Sequence, residues 1–218
     1  MNKEMAMERF RQTGLYAITA ECLSAGRTNI EVVRELLAAG IKFLQYREKE
    51  KNARVMYEEC RVLRELTREA GAVFIIDDFI DLALAVDADG VHIGQDDLPP
   101  EVVRELVGPE MIIGFSTHSP AQMEIANSYK DIIDYFGVGP IYETHTKKDA
   151  SKAVGLDYVR YAAMHAVHPF VAIGGIKEHN IAAVARSGAS TIAVVSDVVG
   201  AKNIAGKIIA LQEKMNIQ

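Results

Sequence analysis

The feature that most constrains this chain is an alternation, repeated eight times, of a short apolar run with a longer amphipathic one. The apolar runs fall at 15–19, 41–46, 73–76, 91–93, 111–115, 135–138, 170–173 and 191–195. Their length and their Val, Ile, Phe and Tyr content read as strands. Helix-type segments follow them at 29–39, 53–70, 80–86, 100–107, 120–129, 156–165, 180–187 and 204–215. Thr28 suits an N-cap, Gly40 and Gly71 suit helix stops, and Pro120 suits a first helical position. Most strands are apolar on both faces, as expected when helices cover one side and a packed interior fills the other. The 218 residues leave about 27 per unit, which suits a compact (β/α)8 barrel, for which ~250 residues is typical. An open doubly wound sheet accommodates fewer strands and wants a glycine-rich turn after its first strand. Here that strand runs into AECLSAG, without GxGxxG. The expected architecture is α/β: a single TIM barrel of eight parallel strands over 15–218, preceded by a short helix or tail over 1–14.

Charge and cysteine content narrow the function classes. With 24 Lys+Arg against 30 Asp+Glu, the net charge of −6 argues against a general nucleic-acid or membrane-surface binder. It leaves room for a small anion held in a local basic pocket. Cys22 and Cys60 are too few for a disulfide framework and read as reduced thiols of a cytoplasmic protein. No zinc-type cluster stands out. The stretch MNKEMAMERFRQTG lacks an apolar signal core, and no run approaches the ~18 apolar residues of a membrane span. The Met- and Ala-rich outer helices suit either core or a subunit interface, so a homo-oligomer is compatible with them.

In a barrel of this kind, chemistry gathers at the C-terminal ends of the strands. The polar outliers fall there. After the second strand, alternation puts Gln45, Arg47 and Lys49 on one side, a set suited to phosphate oxygens or, alternatively, to a solvated turn. Asp77 and Asp78 end the third strand, and Asp97 follows the fourth. Each carboxylate suits a helix cap, and together they suit one Mg²⁺ shared with phosphate oxygens and water. Ser116 and His118 follow the fifth strand: Ser116 as a pocket wall, His118 as a surface or capping residue or an acid–base group. After the sixth, a long loop to about Gly155 carries Thr144, His145, Thr146 and Lys147. It suits phosphate capture, a closing lid or a polar excursion. Gly174-Gly175 follows the seventh strand and Val195-Ser196 ends the eighth, where such barrels commonly bind phosphate.

Together these segments resemble the thiamine-phosphate synthase family over residues from about 15 to 199. The resemblance rests on QYREK at 45–49, the DD of 77–78, DGVHIGQDDLP at 89–99 and GFSTHS at 114–119. GVGPIYETHTKKDA at 137–150, AIGGI at 172–176 and VVS at 194–196 complete it. It implies a transferase that joins an aminopyrimidine methyl pyrophosphate to a hydroxyethylthiazole phosphate, releasing thiamine phosphate and pyrophosphate. Gln45, Arg47, Lys49 and Lys147 would grip the pyrophosphate, and Asp78 and Asp97 would bind Mg²⁺. Ser116 would contact the pyrimidine. Thr144, Thr146, Gly175, Val195 and Ser196 would hold the thiazole phosphate. Tyr46, Glu48, Asp77 and His145 lie in the same runs and count as substrate-binding residues. Arg47, Lys49, Ser116 and Lys147 form the catalytic set. The family passes through a pyrimidine carbocation captured by the thiazole nitrogen, so closure of the loop over 143–155 would keep water out.

One residue departs from the family pattern: Asp77 stands where Asn is usual, so an acceptor replaces a donor. Two rivals share the barrel. A thiazole tautomerase would use His118 for proton transfer. A non-catalytic sensor of thiazole or thiamine phosphate would have little use for the full set of cations and carboxylates.

Overall fold

The computed structural model describes residues 1–144, 146 and 151–215. The eight strands are β1 (Leu15–Ile18), β2 (Phe43–Tyr46), β3 (Val73–Asp77), β4 (Gly90–Ile93), β5 (Ile112–Thr117), β6 (Tyr135–Val138), β7 (Phe170–Ala172) and β8 (Thr191–Val194). They pair in parallel in sequence order, and β8 pairs back to β1, closing an eight-stranded TIM barrel. The helices are α1 (Lys3–Gln12), α2 (Asn29–Ala38), α3 (Ala53–Glu69), α4 (Ile80–Ala85), α5 (Pro100–Val107), α6 (Pro120–Ser128), α7 (Gly155–His165), α8 (Ile181–Arg186), α9 (Ser196–Val199) and α10 (Ile204–Met215). Every strand and helix read from periodicity is present, with ends moved by one or two residues. A 3-10 turn at Glu21–Leu23 and the single turn α9 are too short to leave a period and were not anticipated.

Local chemistry explains the helix starts. Thr28 and Glu31 form a capping box at α2, and the side chain of Asn52 accepts from Val55 N at α3. Ser119 caps α6 with Pro120 in its first turn.

Strand parity divides the core in two. Tyr16, Ile18, Phe43, Val73, Ile75, Ile112, Tyr135, Val171 and Ala193 fill the barrel interior. Their neighbours, among them Ala17, Leu44, Phe74, Ile76, Val91, Ile113 and Phe136, face the helices. Helix α1 closes the N-terminal end. Its Ala6, Met7 and Phe10 belong to the interior cluster, and the Phe10 ring lies 4.7 Å from Tyr135 and 5.1 Å from Phe43. Burying a ring that size contributes about 1.5–3 kcal/mol.

Two ion pairs, one buried and one partly buried, fix the helices to the strands in the same way. Asp89, just before β4, takes both terminal nitrogens of Arg64 from α3 (2.7 and 3.1 Å) and the backbone N–H of Phe74. Asp134, just before β6, takes Arg104 from α5 and the N–H of Ile113. Each carboxylate thus ties a helix to the start of the preceding strand. Among the described residues, no helix is long and apolar enough to cross a membrane.

Candidate active site

The inward parity that is apolar lower in the barrel turns polar at its C-terminal layer. Gln45 on β2, Asp77 on β3, His92 on β4 and Ser116 on β5 continue the inward series of Phe43, Ile75 and Ile112. Of these, Gln45, His92 and Ser116 belong to one hydrogen-bonded chain. Gln45 Nε2 donates to Tyr16 Oη (3.1 Å), and Tyr16 Oη bonds Tyr135 Oη (2.9 Å). Tyr135 Oη bonds His92 Nδ1 (3.0 Å), and His92 Nε2 bonds Ser116 Oγ (2.9 Å). Gly114 makes this possible: a Cβ there would lie 2.4 Å from His92 Nδ1 and 2.5 Å from Tyr135 Oη. Burial pushes the Tyr16 and Tyr135 phenols well above their ordinary range, so both stay protonated. The floor of the mouth is a polar hydrogen-bonded chain set in an apolar cylinder.

Sequence reasoning missed Tyr16, His92 and Tyr135. Aromatic residues inside strands read as ordinary β formers. The available signal was parity: all three occupy inward positions at adjacent registers.

Above this floor stand the charged groups. Arg47 Nε lies 3.4 Å from Asp77 Oδ2, and Lys49 Nζ lies 3.1 Å from the same oxygen. Lys49 also pairs with Asp78 Oδ2, and its ammonium sits over the Phe79 ring. Asp77 is 8% exposed, while Asp78 is more open. Asp78 has φ +60°, a left-handed conformation that costs a non-glycine residue strain, and its N–H donates to His92 O across the strand ends. The end of β2 is pinned to β1, because Thr19 Oγ1 accepts from Arg47 N (2.8 Å) and Thr19 N donates to Gln45 O.

Three expectations need correction. Tyr46 and Glu48, grouped with the substrate-binding residues, face the helices. The Tyr46 hydroxyl donates to Glu59 Oε2 (2.6 Å), and Glu48 Oε1 accepts from Glu21 N and Asn29 Nδ2. Alternation demands this: if Gln45, Arg47 and Lys49 face the mouth, Tyr46 and Glu48 cannot. They belong to a polar cluster in which Lys51 pairs with Glu21 and Glu59 at 2.7 Å each. The helix-cap alternative for the aspartates also falls. The N-cap residues of α4 and α5 are Phe79 and Pro99, neither with a side-chain cap. Asp97 instead accepts from Gly94 N (2.6 Å), closing the turn after β4.

The other side of the mouth is built by the loops after β6, β7 and β8. Ile141 N donates to Ile173 O and Tyr142 N to Gly174 O, so the start of the long loop pairs with the turn after β7. Its far end is tied by Val154 N to Pro140 O and Gly155 N to Ile141 O. Gly175 (φ +63°) packs so closely that a Cβ would meet Glu143 O at 2.6 Å. Thr144 Oγ1 accepts from Thr146 N, and Val195 and Ser196 form the start of α9. His145 and Lys147 lie outside the described residues. His118 Nδ1 donates to Gly139 O (2.6 Å), bracing β5 against the turn after β6.

A Mg²⁺ ion fits the acids of this mouth. It takes one or two carboxylates together with phosphate oxygens and water, and Asp78 already holds a cation, the Lys49 ammonium. Among the described residues, no group of three or more His, Cys, Asp or Glu could hold a metal by itself, so the remaining ligands would come from substrate and solvent. A separate groove lies on the outer face of α3, lined by Tyr57, Arg61, Arg68 and Asp87.

Comparison with known proteins gives the family. The family model described as thiamine monophosphate synthase matches residues 15–198. A thiamine-phosphate synthase from Pelotomaculum thermopropionicum is 56% identical over 97% of this chain and 96% of its own length. One from Caldicellulosiruptor saccharolyticus is 46% identical over 95% of this chain and 93% of its own. Among solved structures, thiamine phosphate pyrophosphorylase from Pyrococcus furiosus is 39% identical with a TM-score of 0.85, covering 95% of this chain and 97% of that one. With the match running from the first strand to the turn after the last, the chain belongs to the thiamine monophosphate synthase family.

Proposed function

We propose that the C-terminal mouth of this barrel joins an aminopyrimidine methyl pyrophosphate to a hydroxyethylthiazole phosphate, giving thiamine phosphate and pyrophosphate. As a thiamine-phosphate synthase the chain is a transferase. The observation that carries the assignment of roles is the layering of the mouth: cations and acids at the rim, a hydrogen-bonded polar floor beneath them.

In this reading Arg47, Lys49 and Lys147 hold the diphosphate tail. Arg47 offers a planar fork and the lysines offer point charges. Asp78 and Asp97 hold Mg²⁺, which when bound neutralises the charge that builds on the departing pyrophosphate. Ser116 Oγ, oriented by His92, and Gln45, oriented by Tyr16, meet the pyrimidine ring. Thr144, Thr146, Gly175, Val195 and Ser196, with His145 beside them, hold the thiazole phosphate. The two sites then face each other across the barrel mouth. Positioning the ring nitrogen against the methylene carbon supplies much of the rate, and no protein nucleophile is needed. The packed apolar interior below Gln45 and His92 keeps water from the cationic carbon from that side.

The tautomerase reading gains no support from His118, whose Nδ1 is committed to Gly139 O. The cytoplasm suits the reaction, since Cys22 and Cys60 are free thiols.

The test is purified protein with both substrates, with and without Mg²⁺. Thiamine phosphate and pyrophosphate are expected in equal amounts and only with the metal. Release of pyrophosphate without coupled product, or coupling without metal, would refute the assignment.

A further inference from the structure

We propose that Asp77 is a positioning residue that couples divalent metal to diphosphate: it restrains Arg47 and Lys49 in the ligand-free protein and retains Lys49 when a metal ion claims Asp78. The proposal rests on the functional reading above and concerns how its two ligands depend on each other.

The charges of the rim pair with one another. Two cations, Arg47 and Lys49, share one oxygen of Asp77, and Lys49 also pairs with Asp78. The groups that would take the anion are therefore held by the groups beside, or at, the metal position. The two acids are not equivalent. The Asp77 side chain is 10% exposed and enclosed by its two cations, whereas that of Asp78 is 29% exposed. Mg²⁺ gives up its water reluctantly. A hydrated ion therefore fits the open acid and not the enclosed one. A metal ion on Asp78 would compete with Lys49 for that carboxylate and would leave the ammonium beside a dication.

Asp77 resolves that conflict. It keeps Lys49 paired at 3.1 Å, so the metal does not have to expel a cation into an unbalanced site. The same carboxylate opposes the diphosphate, because its charge repels the anion and occupies Arg47 and Lys49. Metal on Asp78 removes one of the two claims on Lys49, which then becomes available to a phosphate oxygen. Asp77 thus favours metal before diphosphate and disfavours diphosphate without metal.

Titration calorimetry of the whole chain tests this with MgCl₂ alone, inorganic pyrophosphate alone in chelator, and both together. Replacing the acid by its isosteric amide, Asp77→Asn, removes one unit charge from a partly screened site. Metal alone is expected to bind about three- to tenfold more weakly, and pyrophosphate alone about three- to tenfold more tightly. Asp77→Ser must move both affinities in the same two directions. A merely structural role would weaken both ligands together. Both affinities falling, or neither changing, would overturn the coupling while leaving the synthase reading intact. Wild-type protein that bound no pyrophosphate even with Mg²⁺ would overturn the site and this inference together.

Discussion

Gly175→Ala isolates the side of the mouth proposed to hold the thiazole phosphate. Gly175 sits at φ +63°, where an L-residue pays about 1–2 kcal/mol. The new Cβ would also lie 2.6 Å from Glu143 O, 2.8 Å from Tyr142 Cβ and 2.9 Å from Tyr142 O. Two of these are backbone atoms, so relief requires the 142–143 segment to move away from the turn after β7. That segment is tied to the same turn by Tyr142 N to Gly174 O, and overpacking a fixed contact costs about 1–3 kcal/mol. The sum is about 2–5 kcal/mol. For a chain of this size each kcal/mol lowers Tm by roughly 2–4 °C, so a fall of about 10 °C is expected. Because the displaced segment leads to Thr144 and Thr146, KM for the thiazole phosphate should rise at least tenfold while KM for the pyrimidine pyrophosphate changes less than twofold. Thermal unfolding and steady-state kinetics with each substrate varied in turn read both effects. An unchanged thiazole KM in a variant whose Tm had fallen would show that the glycine shapes the fold without shaping that subsite.

Two further outcomes follow from the cluster behind β2. Lys51→Met leaves Glu21 and Glu59 without their shared cation. It should cost toward the lower end of about 3–5 kcal/mol in urea unfolding and raise KM for the pyrimidine pyrophosphate more than it lowers kcat, with Lys51→Arg restoring both. Burial alone would raise the Glu21 carboxyl, but Lys51 and the Asn29 N–H outweigh it and hold it below its ordinary 4.5. A depressed acid contributes stability that is fully present above the unfolded value and is lost as pH falls through the folded one. Tm should therefore drop below about pH 4.5, and Glu21→Gln should flatten that drop; a steeper acid limb in the variant would contradict the sign.

The barrel was legible because its signal repeats. Eight apolar runs separated by capped amphipathic segments leave few alternatives, and Thr28, Asn52 and Ser119 cap the helices they precede. The rim was legible for a related reason: Arg47, Lys49, Asp77 and Asp78 are charged residues at the ends of buried strands, where packing alone does not call for them. The floor was not. His92 sits between Val91 and Ile93 and looks like a strand interior, and only the register of β4 against β5 brings its ring to Ser116. Tyr16 and Tyr135 are 119 residues apart, and their hydroxyls meet only because the barrel closes. Tyr46 and Glu48 were misplaced because adjacency within the QYREK run was allowed to outweigh the two-residue period of a strand.

That period has a mechanistic consequence. One short strand end serves two networks at once: Gln45, Arg47 and Lys49 toward the barrel mouth, Tyr46 and Glu48 toward Glu59, Glu21 and Asn29. The backbone between them is held on its third side by Thr19. A reaction driven by positioning needs its cations fixed to within a fraction of an ångström, and an exposed loop cannot fix them by itself. Here the helix-facing residues provide the rigidity and the mouth-facing residues provide the charge. Damage to the first group should therefore be felt through the placement of the second, with no change in the charge the substrate meets. Damage to the second should change that charge while leaving the barrel standing.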